Sequence, residues 1–165
     1  MSARRATVAD VDALVRLRAR MFVDMGLAGD DAAWQAGAAD WFAVHLVRPD
    51  CGVFVVDDPE LGVVGSAVGT WADGIPGPRN HTGRRGHLFN VSTDPRCRRR
   101  GHARVCVEAL VAWFDDNDVT VVELAATDDG VDLYRSLGFS ASRFPALRRR
   151  LPTGRPGSAA APAGR

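Results

Sequence analysis

The segment Arg98-Arg99-Arg100-Gly101-His102-Ala103 follows a predicted strand at residues 88–93 and leads into a predicted helix at residues 101–114. Helix N-termini carry partial positive charge and unpaired N–H groups, so they favour acidic residues or bound anions. Arginines at this entry predict a bound polyanion held by loop amides, with Gly101 and Ala103 small enough to admit phosphate oxygens. A solvated basic loop is the alternative.

The elements around this segment indicate an α/β fold with a βαβ-like core. A strand predicted at residues 119–124 follows the helix, and strand-helix-strand spacing of this length implies parallel pairing. Phosphates bind at the carboxyl ends of strands in such units. The chain contains neither G-x-G-x-x-G nor G-x-x-x-x-G-K-[ST], which weakens a dinucleotide or P-loop interpretation.

Periodicity predicts the remaining elements. A capping box at Thr7 to Asp10 begins a first helix, and a second helix ends at Pro49. Two strands, a long Gly- and Pro-rich loop, a short helix capped by Thr127 and ended by Gly138, and late extended segments complete the pattern. These elements lie at residues 52–56, 63–71, 72–86, 128–137, 139 onward and 147–151. We expect one domain over residues 1–151 and a disordered Pro-, Gly- and Ala-rich tail over residues 152–165.

Two motifs resemble those of the GNAT superfamily of N-acetyltransferases. Residues 98–103 look like its R/Q-x-x-G-x-G/A motif, and Leu133-Tyr134-Arg135-Ser136-Leu137-Gly138-Phe139 looks like its LY-x-x-x-GF ending. Residues 5–10 also look like its N-terminal strand and first helix cap. The resemblance implies a mixed sheet of about six to seven strands flanked by about four helices. It also implies direct acetyl transfer from acetyl-CoA to a primary amine of a small molecule or peptide.

The resemblance also implies which residues hold coenzyme A. Its pyrophosphate would bind the arginine loop, and pantetheine would meet the backbone of the preceding strand. The coenzyme-binding residues implied are Val91, Ser92, Thr93, Arg98, Arg99, Arg100, Gly101, His102, Ala103 and Thr127. Ala103 replaces the commoner second glycine, and Thr127 stands where many members have asparagine, so Thr127 can contact pantetheine or simply cap a helix.

Tyr134, the only tyrosine, occupies the family position whose phenol protonates the coenzyme A sulfur. Packing beneath Phe139 is the structural alternative. The base stays open: His87 can accept the ammonium proton, Asn90 can orient amine or water, and Glu123 is a further alternative. The resemblance also implies that backbone N–H groups near Val91 would stabilise the oxyanion of the tetrahedral intermediate.

Composition excludes several other chemistries. Every one of the 21 basic residues is arginine, which excludes Schiff-base and P-loop lysines, and net charge is near +1. Three unpaired cysteines and four scattered histidines predict neither disulfides nor a metal. Cys106 fits a core position, whereas Cys97, among arginines, is predicted to be a reactive thiol. No apolar run is long enough for a membrane span, so we expect the cytoplasm.

Two alternatives and the partners remain open. A non-catalytic acyl-CoA sensor, or an arginine-rich domain binding nucleic acid, uses the same basic loop, although a nucleic-acid partner is not expected at this net charge. The acceptor is expected near Arg18, Phe22, Trp34, Trp41 or the 71–86 loop. A homodimer is possible through a late edge strand within residues 139–151.

Overall fold

A computed structural model describes residues 1–27 and 32–149 of the chain. These residues form five strands, four α-helices and two short 3-10 helices. In chain order they are β1 (Arg4–Arg5), a 3-10 turn (Val8–Asp10), α1 (Val11–Asp24), α2 (Trp34–His45), β2 (Cys51–Asp58), β3 (Gly62–Ala72), β4 (Arg85–Thr93), a second 3-10 turn (Pro95–Cys97), α3 (His102–Asp116), β5 (Val121–Leu124) and α4 (Val131–Ser136).

The strands form one mixed sheet in the order β1-β2-β3-β4-β5. The first four strands pair antiparallel, and β4 pairs parallel with β5, as the strand-helix-strand pattern predicted. The α/β fold class and the four helices are therefore confirmed.

The described residues contain five strands, fewer than the six to seven that were predicted. Residues 139–149 form no strand, contrary to the extended segments predicted there. Phe144 is 74% exposed and Leu147 is 95% exposed, so this stretch buries too little apolar surface to hold a strand against the sheet. Residues 139–149 therefore do not provide the edge strand through which a homodimer was predicted to form. Residues 150–165, which include the expected tail, lie outside the described residues.

The core has two layers, one on each face of the sheet. On one face α1 and α2 bury Leu14, Leu17 and Phe42 against the valines of β2 and β3. On the other face α3 packs closely, because glycines in the strands leave room for its aromatic side chains. A Cβ at Gly69 would lie only 2.6 Å from Cζ of Phe114. Both faces of the central strands are therefore covered.

The entry to α1 is held by the predicted capping box. Asp10 accepts a hydrogen bond from the Thr7 N–H at 2.8 Å, and it forms an ion pair with Arg4 at 2.8 Å. Hydrogen bonding to Arg4 is the main cause that lowers the pKa of Asp10 to about 2. The ionised carboxylate thus joins β1 to the start of α1.

The predicted cap of α4 is wrong in one respect. Gly130, not Thr127, is its N-cap residue, while the Thr127 carbonyl accepts hydrogen bonds from the N–H groups of Gly130 and Val131. Gly138, at φ 91°, adopts the left-handed conformation predicted for the helix end.

None of the helices in the described residues combines the length and the apolarity that crossing a bilayer requires. Residues 1–27 and 32–149 contain no cluster of three or more His, Cys, Asp or Glu side chains able to hold a metal ion.

Candidate active site

The loop between β4 and α3 has the backbone of an anion-binding concavity. Gly101 is the N-cap of α3 and is left-handed at φ 86°, and Arg99 is left-handed at φ 60°. An arginine whose backbone adopts the left-handed conformation is strained by roughly 1–2 kcal/mol. Alternation of right- and left-handed backbone conformations turns successive N–H groups toward one side of the loop. Because Gly101 has no side chain and the first turn of α3 has no acidic residue, an anion can occupy this helix end.

Five arginines crowd this loop and its flanks, and three of them have protein partners. Arg96 pairs with Asp94, Arg98 with Asp24 of α1, and Arg104 with Glu108 and the Ser136 hydroxyl. Arg99 and Arg100 are exposed and form no ion pair within residues 1–27 and 32–149. These two guanidinium groups are therefore the ones that an external anion could bind without breaking an ion pair among the described residues.

The other members of the motif contribute backbone rather than side chain. His102 is 8% exposed, and its Cβ lies close to Gly65 of β3, so its ring faces the sheet. Ala103 is half-buried. A ligand above α3 can therefore reach only the N–H groups of these two residues.

Neither cysteine near the loop has the exposure of a nucleophile. Cys97 is 1% exposed, which corrects the expectation of a reactive thiol among arginines: its side chain turns into the protein while the arginines turn out. Cys106 is fully buried in the α3 face, and burial raises the pKa of its thiol to about 12, as expected of a core residue.

Strand β4 extends beyond its parallel partner next to this loop. The last pair is Leu88 with Leu124, whereas β4 continues to Thr93. We call the stretch Phe89–Thr93 the open edge of β4, because β5 does not cover its backbone there. Peptide groups on such an edge can pair with an extended ligand that carries amides.

The end of β4 is held rigidly in position. The Ser92 hydroxyl is buried and donates to the Leu17 carbonyl at 2.9 Å, so this side chain anchors β4 to α1. Asp94 is 4% exposed and binds Arg96 and Arg16. Hydrogen bonds from Arg96 are the main cause that holds the pKa of Asp94 well below its ordinary value. These contacts anchor the end of β4 at Ser92 and Asp94, on either side of Thr93.

Tyr134 on α4 lies next to the α3 layer. Its ring is half-buried and meets Phe139 edge to face, with ring centroids 6.0 Å apart. Burial raises the pKa of the phenol, so the group stays protonated at neutral pH. The bond from Arg104 to Ser136 ties α4 to the first turns of α3. Thr127 is exposed, and it and Tyr134 both flank Gly130.

A cavity of about 380 Å³ lies on the opposite face of the sheet, between α1, α2 and β4. It has aromatic walls with one cation and one amide. The residues that line it are Arg18, Trp34, Ala38, Trp41, Phe42, Phe89 and Asn90. The predicted acceptor residues Arg18, Trp34 and Trp41 thus come together, whereas Phe22 lies outside the lining and packs against Trp34.

A β-bulge brings Asn90 into this cavity. The β3–β4 register shifts between Ser66 and Val68, and Asn90 has a left-handed φ of 52°. Side chains normally alternate across a strand, but here the neighbours Phe89 and Asn90 line the same cavity. Asn90 is 7% exposed, and its Oδ1 accepts a hydrogen bond from Arg18 Nη1 at 2.7 Å.

The other candidate bases lie at the exposed start of β4. His87 is exposed and its ring stacks on Phe89, with centroids 5.3 Å apart. Glu123 lies opposite it on β5 and forms a 3.8 Å ion pair with Arg85. His87 therefore touches a residue of the cavity wall, whereas Glu123 is an exposed partner of an arginine.

Sequence reasoning missed Phe89 and the bond between Arg18 and Asn90. Phe89 fits the apolar pattern of a strand, which gives no sign that it lines a cavity. Arg18 and Asn90 are 72 positions apart and meet only because the bulge turns the amide toward α1. A single sequence carries no local signal for such a register shift.

Comparison with known families gives a match over most of the chain. The model of the acetyltransferase (GNAT) family matches residues 12–139. This range includes α1, the open edge of β4, the arginine loop and the Tyr134 helix. No curated protein matches the chain significantly.

Solved structures share the fold at low identity. A predicted acetyltransferase from Clostridium acetobutylicum, solved with acetyl-CoA, is 23% identical with a TM-score of 0.77, covering 89% of this chain and 95% of its own. A GCN5-related N-acetyltransferase from Ralstonia eutropha is 23% identical, with a TM-score of 0.71 and coverage of 90% and 97%. Glucosamine-6-phosphate N-acetyltransferase from Arabidopsis thaliana is 14% identical, with a TM-score of 0.70 and coverage of 90% and 97%.

Proposed function

Because the chain belongs to the GNAT acetyltransferase family, we propose that it moves the acetyl group of acetyl-CoA directly onto a primary amine of a small molecule or peptide. One observation carries the proposal. Just before the start of helix α3 come Arg99 and Arg100, which have no ion-pair partner among the described residues. This helix lies beside the open edge of β4. An anion site next to an uncovered strand edge suits a ligand with a pyrophosphate and an amide chain.

The coenzyme would bind along this edge. Arg99 and Arg100, with the N–H groups of Gly101, His102 and Ala103, would hold the pyrophosphate. Arg98 can join them if it leaves Asp24. The backbone of Val91, Ser92 and Thr93 would pair with pantetheine amides, and the exposed Thr127 hydroxyl can donate a further hydrogen bond. When bound, acetyl-CoA supplies an acetyl group activated as a thioester.

Tyr134 would hold the proton that the departing sulfur requires. The amine nitrogen forms a bond to the acetyl carbon, the carbon–sulfur bond breaks, and the sulfur leaves as a thiol with the proton of the phenol. The raised pKa of Tyr134 favours the protonated phenol before each turnover. The proton released by the amine returns to solvent and, in net terms, replaces the one given up.

The amine would reach the acetyl group from the aromatic cavity. Asn90 lines that cavity and can orient the amine or a water molecule, and the Val91 N–H can stabilise negative charge on the acetyl oxygen. His87, stacked on Phe89, is the better of the two candidate bases because Glu123 is paired with Arg85. The free, buried cysteines also suit a reducing cytoplasmic compartment.

A thiol-release assay tests the proposal. Purified protein with acetyl-CoA is offered amino acids, amino sugars, polyamines and short peptides, with a blank that lacks amine, and products are identified by mass. We expect thiol release that depends on one class of amine and a product heavier by one acetyl group. Acetyl-CoA binding without transfer to any amine would instead favour a non-catalytic acyl-CoA sensor.

A further inference from the structure

The aromatic cavity contains a cation without a counter-ion among the described residues. Arg18 is half-buried there, with its guanidinium over the Phe22 ring at 4.8 Å and one hydrogen bond to Asn90. Within residues 1–27 and 32–149, no carboxylate lies in ion-pair distance of it. Burial lowers the pKa of Arg18, yet a guanidinium remains charged. Among the described residues its other N–H groups have no acceptor, so they are donors that a ligand could use.

Asn90 adds an unused donor at the same point. Its Oδ1 must face Arg18, because a guanidinium can only donate hydrogen bonds. That orientation fixes the Nδ2 group, which is buried and has no partner among the described residues. Leaving a buried donor unsatisfied is unfavourable, so an acceptor atom that a ligand brings to Nδ2 would stabilise the site.

The charge of the site discriminates between amine classes. A ligand whose only charge is an ammonium group would meet the positive field of Arg18 with no described acidic side chain in the cavity lining to offset it. A carboxylate on the same ligand would neutralise Arg18 and accept from Asn90. A phosphate carries nearly two charges, of which one guanidinium neutralises only about one. The site therefore suits a monoanion.

We propose that the acceptor is a small amine that also carries a carboxylate, held by Arg18 Nη and Asn90 Nδ2, with an apolar or aromatic part between Trp34, Trp41 and Phe89. The inference rests on the proposed acetyl transfer and names its substrate class. The cavity volume of about 380 Å³ suits a molecule of amino-acid size. Polyamines and amines without an anionic group are poor acceptors.

Matched acceptors test the carboxylate. Phenylalanine, phenylalaninamide and phenethylamine share a phenyl ring and an aliphatic primary amine, but only phenylalanine carries a carboxylate. Glucosamine 6-phosphate is an amine that carries a phosphate instead. We expect phenylalanine to exceed the two analogues that lack the carboxylate by about 10-fold or more in kcat/KM. Equal turnover of phenylalanine and its amide, or a preference for the phosphate, would overturn the inference while acetyl transfer itself stands.

Variants locate the preference. Arg18→Gln should raise the KM for phenylalanine by about 10- to 100-fold and remove most of the preference for phenylalanine over phenethylamine, and Arg18→Lys should recover part of that preference. Asn90→Gly keeps the left-handed backbone and removes only the amide, so a smaller rise is expected. Arg48→Gln is the control, since Arg48 pairs with Asp50 outside the cavity. An unchanged preference in Arg18→Gln contradicts the assignment.

Binding without chemistry separates this inference from the proposed function. Quenching of tryptophan fluorescence reports occupancy of the cavity through Trp34 and Trp41. N-acetylphenylalanine should bind more tightly than its amide in the wild type, and Arg18→Gln should abolish the difference. Such binding without turnover would remove the acetyl-transfer proposal and keep the carboxylate site; equal binding of the two compounds would remove the carboxylate site.

Discussion

Tyr134 packs against Phe139 and is the proton donor that we propose, and a conservative substitution separates the two roles. Tyr134→Phe keeps the ring against Phe139 and removes only the hydroxyl. We expect kcat to fall by about 100-fold while the dissociation constant of acetyl-CoA stays within a factor of about two, because general acids contribute on this scale. Steady-state kinetics with calorimetry of coenzyme binding measures both.

The pH profile gives the same residue a second signature. An acid must hold its proton, so kcat is retained below the phenol pKa and lost as pH rises through it. Burial raises that pKa above its ordinary value of about 10. Phe139→Leu, which loosens the packing but keeps the phenol, should retain this alkaline limb. An unchanged kcat in Tyr134→Phe would show that the ring only packs.

The arginine loop shows why a conflict with a local rule points to a site. Three of its charges are neutralised within the protein, so the sequence pattern overstated the number of free cations. Two features are not explained by those ion pairs. They are the strained backbone at Arg99 and the start of α3, where no side chain caps the helix. They mark the part of the motif that a polyanion explains.

At the scale of elements, the approach of α3 to the sheet depends on glycine. A Cβ at Gly69 would meet Phe114 at 2.6 Å and Leu110 at 2.9 Å, and both side chains are fully buried. We expect Gly69→Ala to destabilise the protein by about 1–3 kcal/mol through overpacking. Urea denaturation provides the measurement.

Gly37 is the matched control for this substitution. It lies exposed within α2, and a Cβ there would meet nothing within 4 Å. Gly37→Ala should stabilise the protein by about 0.5–1 kcal/mol, because alanine loses less backbone entropy in a helix. If both variants change stability equally, close packing at Gly69 is not the cause.

Elements with a local signal were predictable, and those set by long-range register were not. The 3.6-residue pattern located α1 and α3, and the arginine motif located the loop between β4 and α3. The bulge at Asn90 depends on pairing with β3, which no neighbouring residue specifies. The extended segments predicted after Phe139 are absent from residues 139–149 for a different reason, because this stretch buries almost no apolar surface.

At the scale of the whole molecule, the two ligand regions lie on opposite faces of β4. The arginine loop and Tyr134 belong to the α3 side, whereas the acceptor cavity belongs to the side of α1 and α2. The open edge of β4, beyond its last pair with β5, adjoins both regions. The coenzyme and acceptor sites that we propose would thus meet at Phe89–Thr93 without sharing a pocket.

Coenzyme binding should stabilise the whole fold, since it would join α3, α4 and β4. Acetyl-CoA at about 100 times its dissociation constant stabilises by about 2.7 kcal/mol, which for a chain of this size raises Tm by about 5–10 °C. The shift should persist in high salt, whereas a DNA duplex should give none, because nonspecific phosphate contacts weaken steeply with salt. The double variant Arg98→Ala with Gly101→Glu sets a negative charge on the left-handed cap and should remove the shift. A retained shift in that variant would refute the loop as the pyrophosphate site, and a shift with DNA alone would favour a polyanion-binding surface.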